Sequence, residues 1–436
     1  MSLFERSLKW KGFPIQEAKD LLKTINTLNS KALEASILKQ REFIINYHLE
    51  HNSFYKSFAS KANAQDWSSI PILSKSDLQQ PLTNRLSQGF TKKNCLINNT
   101  SGSSRQPLSF AKDPFCHALT WAVFMDRYLW YNIDLNTSKQ ARFYGIPLNT
   151  VSYYKERIKD VLSNRFRFSV FDMSDAKLKE NVATFSRTNF EYLYGYSNAL
   201  ALFGKYLAQE KIVLKTVCPS LKACIATSET LFEEDRELLE KAFGVPVINE
   251  YGCAELGLIA FQNHNGTWKI NSHDLYVEVL DENGAVLPYG AEGRLVITSL
   301  FNKAHPFIRY DLGDIGTLSK KSTIQYPILE SLAGRTNDVL RLPSGKTAAG
   351  FTMYYVTKTV IDDTSNVKEF MIEQMTLDTF KVSYVSRTAF SDTEKTKVIK
   401  ALNQYLEPGL TVSFERKEAL ERSKSGKVKQ FISYVT

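Results

Sequence analysis

Cysteine is sparse in this chain. The five cysteines, Cys95, Cys116, Cys218, Cys224 and Cys253, are scattered and no two form a CxxC pair, which excludes a disulfide framework and a CxxC metal or redox site. A reducing, cytoplasmic setting is the expectation. Among the six histidines, His264 and His273 stand nine apart without a partnering pair of ligands, which argues against structural zinc. No stretch of 18 uncharged apolar residues occurs, and the opening MSLFERSLKWKGFPIQ has no continuous apolar segment. Neither a membrane span nor a secretory leader is expected. GxSxG and HExxH are missing, which disfavours the common hydrolase chemistries, and no internal repeat is visible.

What is present is a chain of globular composition. Hydrophobic residues are 43% and charged residues 23%, with 20 glycines and 13 prolines, so disordered and collagen-like classes are set aside. With 436 residues and about 150 per domain, two to three folded units are expected. Lys plus Arg exceed Asp plus Glu by 55 to 46, a net charge of +9. That balance admits nucleic acid, anionic lipid or phosphorylated small molecules as partners and does not choose among them.

From Gln16 to Lys61 the apolar residues recur at helical spacing. CLIN and LSFA then read as short strands around the small-residue stretch Asn98 to Pro107. Helical patterns return at Phe115 to Tyr131 and Asn198 to Glu210. Between and after them ARFYG, EYLYG, LKACIA and VPVIN are short apolar runs bounded by turn residues. Alternating strands and helices predict an α/β layered core. LYVEVL, DENG and RLVITSL predict hairpin-connected antiparallel structure, with DENG as the turn. Beyond about Arg335 the segments FMIEQMTL, DTFKVSYVS, SDTEKTKVIKALNQYL, LTVSFERK and VKQFISYV read strand, helix, strand, helix, strand, a small α+β domain.

Five segments could carry chemistry. NNTSGSSRQP gathers hydroxyls and backbone N–H groups on one turn, which suits an anion, although it lacks the GK[ST] ending of a Walker loop; a solvent-exposed polar turn is the alternative. In NEYGCAELG, Tyr251 and Glu255 are expected just beyond the carboxyl end of the VPVI strand, where open α/β sheets bind ligands. The aromatic face suits a stacked base and the carboxylate suits Mg²⁺; a helix start with a buried Tyr and a solvated Glu is the alternative. In FIRYDLGD, Asp311 and Asp314 could accept from ribose hydroxyls or merely cap a turn. Arg335 in AGRTNDVLRLPSGK could bond a sugar or phosphate or belong to a linker. ERSKSGKVKQ sets Lys424, Lys427 and Lys429 around Gly426, either a solvated basic loop or a mobile source of one ammonium.

Taken in order, HNSFYKSF, IPILSKSDL, TSGSSRQP, YLYGYSNAL, IATSETL, YGCAELG, HPFIRYDLGD, GRTNDVL and SGKVK resemble the acyl-adenylate-forming (ANL) superfamily, and within it the phenylacetate–CoA ligase and CapK-like branch. The resemblance runs over most of the chain. It implies an α/β fold: a large multi-layer N-terminal adenylation domain with a β-rich subdomain, 1–334, and a small mobile α+β C-terminal lid domain, 335–436. By position, Thr100, Ser101, Gly102, Ser103 and Ser104 are similar to the loop that holds the ATP phosphates, Ser228 and Glu229 to the segment lining adenine, and Tyr251 with Gly252 to the adenine-stacking turn. Glu255 matches the Mg²⁺-binding acid, Asp314 and Arg335 the ribose contacts, Asn337 the hinge, and Lys427 the catalytic lysine between carboxylate and α-phosphate. Arg105, Ala254 and Asn337 stand where the wider superfamily carries Gly, a hydroxyl residue and often Asp.

The activity this implies is ATP- and Mg²⁺-dependent activation of a small-molecule carboxylic acid as acyl-AMP, followed by transfer to a thiol, coenzyme A. Transfer to an amine, giving an amide, is the close variant, and a homodimer accords with the family likeness. A reading from another class is a degenerate, basic RNA-binding or scaffold protein, since 12% aromatics and +9 suit stacking and phosphate contacts. Its weight is low, because the aromatics fall in core-like runs and Glu255, Asp314 and Lys427 are all retained.

Overall fold

The computed structural model describes residues 3–100, 108–145, 150–335, 339–345, 347–349, 356, 367–421 and 431–435. It divides into two units, Met1–Leu312 with Gly316–Ser331, and Leu332–Thr436 with Gly313–Ile315. No helix among the described residues is long and apolar enough to cross a membrane.

The first unit opens with helices α1 (Leu3–Trp10), α2 (Ile15–Asn26), α3 (Ser30–His51), α4 (Ser53–Phe58) and α5 (Leu82–Arg85). The helical spacing seen in the sequence becomes a buried stripe on α2, made of Ile15, Ala18, Leu22 and Ile25. Asn52 separates α3 from α4 by accepting from the Tyr55 N–H at 2.8 Å, the N-cap role that a short polar side chain favours. Strands β1 (Leu96–Asn99) and β2 (Ser109–Lys112) pair antiparallel. Helix α6 (Pro114–Leu129) follows at once, with Asp113 as its N-cap and Pro114 in its first turn, where the missing N–H costs nothing.

The core is built from β3 (Gln140–Phe143), α7 (Thr150–Leu162), β4 (Arg165–Phe168), α8 (Asp175–Arg187), β5 (Tyr192–Tyr196), α9 (Ser197–Gln209), α10 (Leu214–Val217), β6 (Ala223–Thr227), α11 (Glu233–Phe243) and β7 (Val247–Cys253). The chain then turns to antiparallel structure, with β8 (Gly257–Gln262), β9 (Trp268–Ile270), β10 (Leu275–Leu280), β11 (Glu292–Ser299), β12 (Tyr310–Leu318) and β13 (Ile328–Arg335). All thirteen except β1 and β2 join one eleven-stranded sheet, ordered β10-β11-β12-β13-β9-β8-β7-β6-β5-β3-β4. Its β4-β3-β5-β6-β7 stretch is parallel, as crossover helices require.

Period-two alternation gives the parallel strands two different faces. Ala141, Phe143, Leu193, Cys224, Ala226 and Val247 pack with α8, α9 and α11 around Phe168, Phe185, Phe190, Phe203 and Phe243. Tyr192, Ala223, Ile225 and Ile248 face α2 and α6 instead. Strand β4, Arg165-Phe-Arg-Phe168, is not signalled by an apolar run, because two arginines interrupt it. Its charges are taken up by α7, where Asp160 accepts from Arg165 at 2.5 Å and from Arg167 at 2.9 Å.

The second unit contains β14 (Val339–Arg341), β15 (Thr347–Ala349), β16 (Val367–Gln374), β17 (Thr379–Ser386), α12 (Asp392–Tyr405), β18 (Thr411–Arg416) and β19 (Phe431–Ser433). Four of these strands form a sheet ordered β18-β17-β16-β19, packed on α12 through Phe380, Val382, Val398 and Leu402. A capping box between Ser391 and Glu394 starts α12. The second C-terminal segment, DTFKVSYVS, is a strand where a helix is expected, because a tight turn returns the chain directly beside FMIEQMTL. Met375 N–H donates to Thr379 O at 2.9 Å and Thr376 Oγ1 to Asp378 Oδ1 at 2.7 Å, so FMIEQMTL and DTFKVSYVS lie side by side as antiparallel strands.

Phe203 is fully buried and stacks on Phe143 and Phe185 at 5.1 and 5.8 Å. Phe203→Ala should therefore destabilise the first unit by about 3–5 kcal/mol, read as a lowered urea midpoint in its unfolding transition.

Candidate functional site at the carboxyl ends of the parallel strands

The sequence places Tyr251 and Glu255 beyond a strand; the structure corrects this for Tyr251. Strand β7 continues through Cys253 because the apolar run GLIAFQ returns beside it as β8, in a hairpin with a register shift between Tyr251 and Gly252. Tyr251 is therefore a strand residue, with its ring edge-on to Trp268 at 6.1 Å, and Glu255 sits in the turn. The two strands approach so closely that a Cβ on Gly252 would lie 2.4 Å from the Gly257 carbonyl oxygen. Gly257 itself has φ +87°, and a Cβ there would lie 2.7 Å from Thr120 Cγ2 and 3.5 Å from Lys112 Nζ. Only glycine accepts both conditions without strain.

Those contacts connect the turn to the β1–β2 hairpin. Lys112, buried at the end of β2, donates to Thr120 Oγ1 on α6 at 3.2 Å. The segment 305–310 makes a second connection, since Phe307 packs edge-on against Phe110 of β2 at 6.1 Å and against Tyr310 at 5.0 Å. The Tyr310 hydroxyl donates to Glu255 Oε1 at 3.4 Å. Thus the Glu255 carboxylate ties the β7–β8 turn to the start of β12, which Phe307 ties in turn to β2. Glu255 is 8% exposed and this long hydrogen bond occupies little of its accepting capacity, which fits an acid that holds a cation.

Thr100 closes the base of the β1–β2 hairpin. Its N–H donates to Leu108 O at 3.0 Å and its Oγ1 accepts from Leu108 N–H at 2.9 Å. Ser101, Gly102, Ser103, Ser104 and Arg105 lie outside the described residues, as do Asn337 and Lys427. Arg335 ends β13 in its backbone. Asp314 is buried on β12, one residue after Gly313 at φ +74°. Its neighbour Asp311 is engaged by Arg294 Nη1 at 2.7 Å.

Ser228 follows β6 in the left-handed region, φ +70°, a conformation that costs a non-glycine residue about 1–2 kcal/mol. Its Oγ lies 3.3 Å from the Tyr144 hydroxyl. The Glu229 carboxylate accepts from the Asn198 N–H at 3.0 Å, and the Glu229 carbonyl accepts from Ser197 Oγ at 3.0 Å. A carboxylate at the start of α9 is favoured by the helix dipole, so the side chain of Glu229 fastens β6 to α9.

Several residues here carry no sequence motif. Tyr310 falls inside HPFIRYDLGD without being singled out, and Lys112 is one of many lysines. Arg142, Tyr194 and Glu250 read as members of strands. For Tyr194 and Glu250 the signal was the period of two, since they stand two residues after Tyr192 and Ile248, which face α6.

No family model matches. Protein CapK of Staphylococcus aureus is 23% identical over 387 residues, spanning 84% of this chain and 80% of CapK. The phenylacetate-coenzyme A ligase of Aromatoleum evansii is 31% identical over 127 residues, 28% of this chain and 29% of the ligase. Among solved structures, 2-hydroxyisobutyryl-CoA ligase in its postadenylation state superposes with a TM-score of 0.69 at 17% identity, over 93% of this chain and 90% of that one. ATP-bound MatB from Rhodopseudomonas palustris gives 0.52 at 14% identity, over 75% and 64%. The fold is that of the adenylate-forming ligases. In sequence the chain resembles CapK over most of its length and phenylacetate-coenzyme A ligase over a shorter stretch, the branch of the acyl-adenylate-forming superfamily that its motifs point to.

Below the hairpin, Asp274 accepts from Asn271 Nδ2 and its pKa is pushed by burial from 3.8 up to about 7, against the pull of Lys112 and Arg127. A carboxyl whose folded pKa is raised binds its proton more tightly when folded. Its contribution to stability is full below about pH 4 and is lost as pH rises through about 7. Wild type should therefore lose stability relative to Asp274→Asn between those limits, measured as the difference in urea midpoints across a pH series.

Proposed function

We propose that this chain activates a carboxylic acid with ATP, forming an acyl-AMP and releasing pyrophosphate, and then passes the acyl group to the thiol of coenzyme A. The observation that carries the reading is the buried Glu255 turn, joined through Tyr310 and Phe307 to the β1–β2 hairpin, in a chain that resembles this superfamily. Relatives and neighbours whose names include phenylacetate-coenzyme A ligase and 2-hydroxyisobutyryl-CoA ligase support coenzyme A as the acceptor. An amine in its place is tested in the same assay.

The chemical difficulty is that a carboxylate must attack the α-phosphorus of ATP, anion upon anion. Carboxylate O–P bond formation accompanies rupture of the bond to the pyrophosphate oxygen, and pyrophosphate leaves with the electron pair. In the second step a thiolate sulfur attacks the acyl carbon and AMP departs. Mg²⁺, held by Glu255, would neutralise phosphate charge when bound. Tyr310 would orient that carboxylate through its hydroxyl. Tyr251 would offer a ring face to adenine, and Ser228 and Gly252 would shape the floor beside it. Thr100 to Ser104 would receive the phosphates on N–H and hydroxyl donors, Asp314 and Arg335 the ribose, and the Lys427 ammonium would offset the charge that gathers as carboxylate meets phosphate. Asn337 would be the hinge on which the lysine-bearing domain 335–436 turns between the two steps, relative to domain 1–334.

Loss of one preorganised charge contact typically costs about 10²- to 10³-fold in rate. Lys427→Ala and Glu255→Ala should each lower carboxylate-dependent ATP–pyrophosphate exchange by that factor. Adding coenzyme A, or an amine, to a preformed acyl-AMP complex and identifying the product by mass then assigns the acceptor. A chain that neither exchanges pyrophosphate nor binds ATP would refute the ligase reading.

A further inference from the structure

The face of the parallel sheet that meets α6 changes character along the strands. At the amino ends it is apolar, with Ala223, Ile225 and Ile248 against Ala118, Leu119 and Ala122 of α6. Toward the carboxyl ends, the same face presents Arg142 of β3, Tyr194 of β5, Thr227 of β6 and Glu250 of β7. Register sets them in two adjacent pairs on this face: Arg142 beside Tyr194, level with Ile225, and Thr227 beside Glu250, two residues further on; the Tyr194 hydroxyl spans the step to Glu250.

Glu250 is 5% exposed and accepts from the Tyr128 hydroxyl of α6 at 2.8 Å and the Tyr194 hydroxyl at 3.0 Å. Arg142 is different. Its Cζ lies over the rings of Tyr144 at 4.2 Å and Tyr194 at 5.1 Å, and its Nε is buried with no hydrogen-bond partner. Among the described residues no hydrogen bond or ion pair engages this guanidinium, which carries five N–H donors. A buried N–H left without an acceptor costs stability. The two rings hold the half-buried guanidinium in place, and a ligand that brings an oxygen acceptor would satisfy its Nε–H.

These residues also adjoin the nucleotide-facing ones. Glu250 directly precedes Tyr251, Thr227 directly precedes Ser228, and Tyr144, which stacks on Tyr194 at 5.6 Å, reaches Ser228 with its hydroxyl. We infer that Arg142, Tyr194 and Glu250 form the surface that recognises the acyl part of the substrate, and that the acid carries a second oxygen group, a hydroxyl or a carboxylate, which accepts from Arg142. The inference rests on the adenylation reading above and adds the substrate class: a polar acid, not an aryl or fatty acid. The phenylalanine-rich face lies on the opposite side of the sheet and is closed by α8, α9 and α11.

The test is ATP–pyrophosphate exchange with two acid panels, lactate, succinate and glucuronate against propanoate, hexanoate and phenylacetate. The expected result is kcat/KM at least 10-fold higher for one polar acid than for every apolar one. Arg142→Ala should lower that value by about 10- to 100-fold, as loss of a charged hydrogen bond does, with KM for ATP unchanged. Tyr194→Phe keeps volume and removes one hydroxyl. It should narrow the preference for the polar acid even where Arg142→Ala is poorly folded. Preference for hexanoate or phenylacetate, altered less than threefold by either variant, would overturn this inference and leave adenylation standing. No exchange with any acid, together with no shift in melting temperature on adding ATP, would overturn both.

Discussion

The two unlike faces of the parallel strands are the constraint on which the rest of the first unit depends. Strand direction brings every carboxyl end to the same edge, and the period of two sends alternate side chains into different layers. One layer is a dry aromatic core, where Phe203 stacks on Phe143 and on Phe185 at 5.1 and 5.8 Å. The other begins as an ordinary helix–sheet contact and ends in phenols, a guanidinium and a carboxylate. The same backbone thus supplies the rigidity and the chemistry, from opposite sides.

Placement of the candidate catalytic carboxylate depends on the antiparallel continuation. Without β8 folding back on β7, the segment after Tyr251 would leave the sheet, and Glu255 would not meet Tyr310. The close approach of Gly252 and Gly257 makes this return tight enough to bury the turn. Lys112, Thr120 and the Phe110–Phe307 contact then bind it to the hairpin that carries Thr100. The long separation in sequence between β2 and the start of β12 is bridged by the ring contact of Phe110 with Phe307.

The layered α/β core was legible because its strands are short apolar runs between helical periods: ARFYG, EYLYG, LKACIA and VPVIN all became parallel neighbours. So were the β1–β2 hairpin and the C-terminal strands. What escaped was structure whose polarity is compensated at long range. Strand β4 is hidden by Arg165 and Arg167, which only Asp160 on a neighbouring helix makes tolerable. The C-terminal order was misread because a three-residue turn at Thr376 to Asp378 returns the chain directly as a strand. At the site, Tyr251, Gly252 and Glu255 were marked by local pattern. Arg142, Tyr194, Glu250 and Lys112 were not, since each derives its meaning from strands that only the sheet order places side by side.

The division of the sheet into a closed face and a polar face has an evolutionary consequence. A chain whose stability is invested in Phe143, Phe168, Phe185, Phe190 and Phe203 can exchange Arg142, Thr227, Tyr194 or Glu250 without disturbing that investment. On the proposed reading, selection could then retune which acid is accepted through a handful of codons, while the framework proposed to handle the nucleotide is inherited unchanged. Divergence among relatives should therefore concentrate at these positions, and two chains of the branch could differ in diet while keeping one architecture.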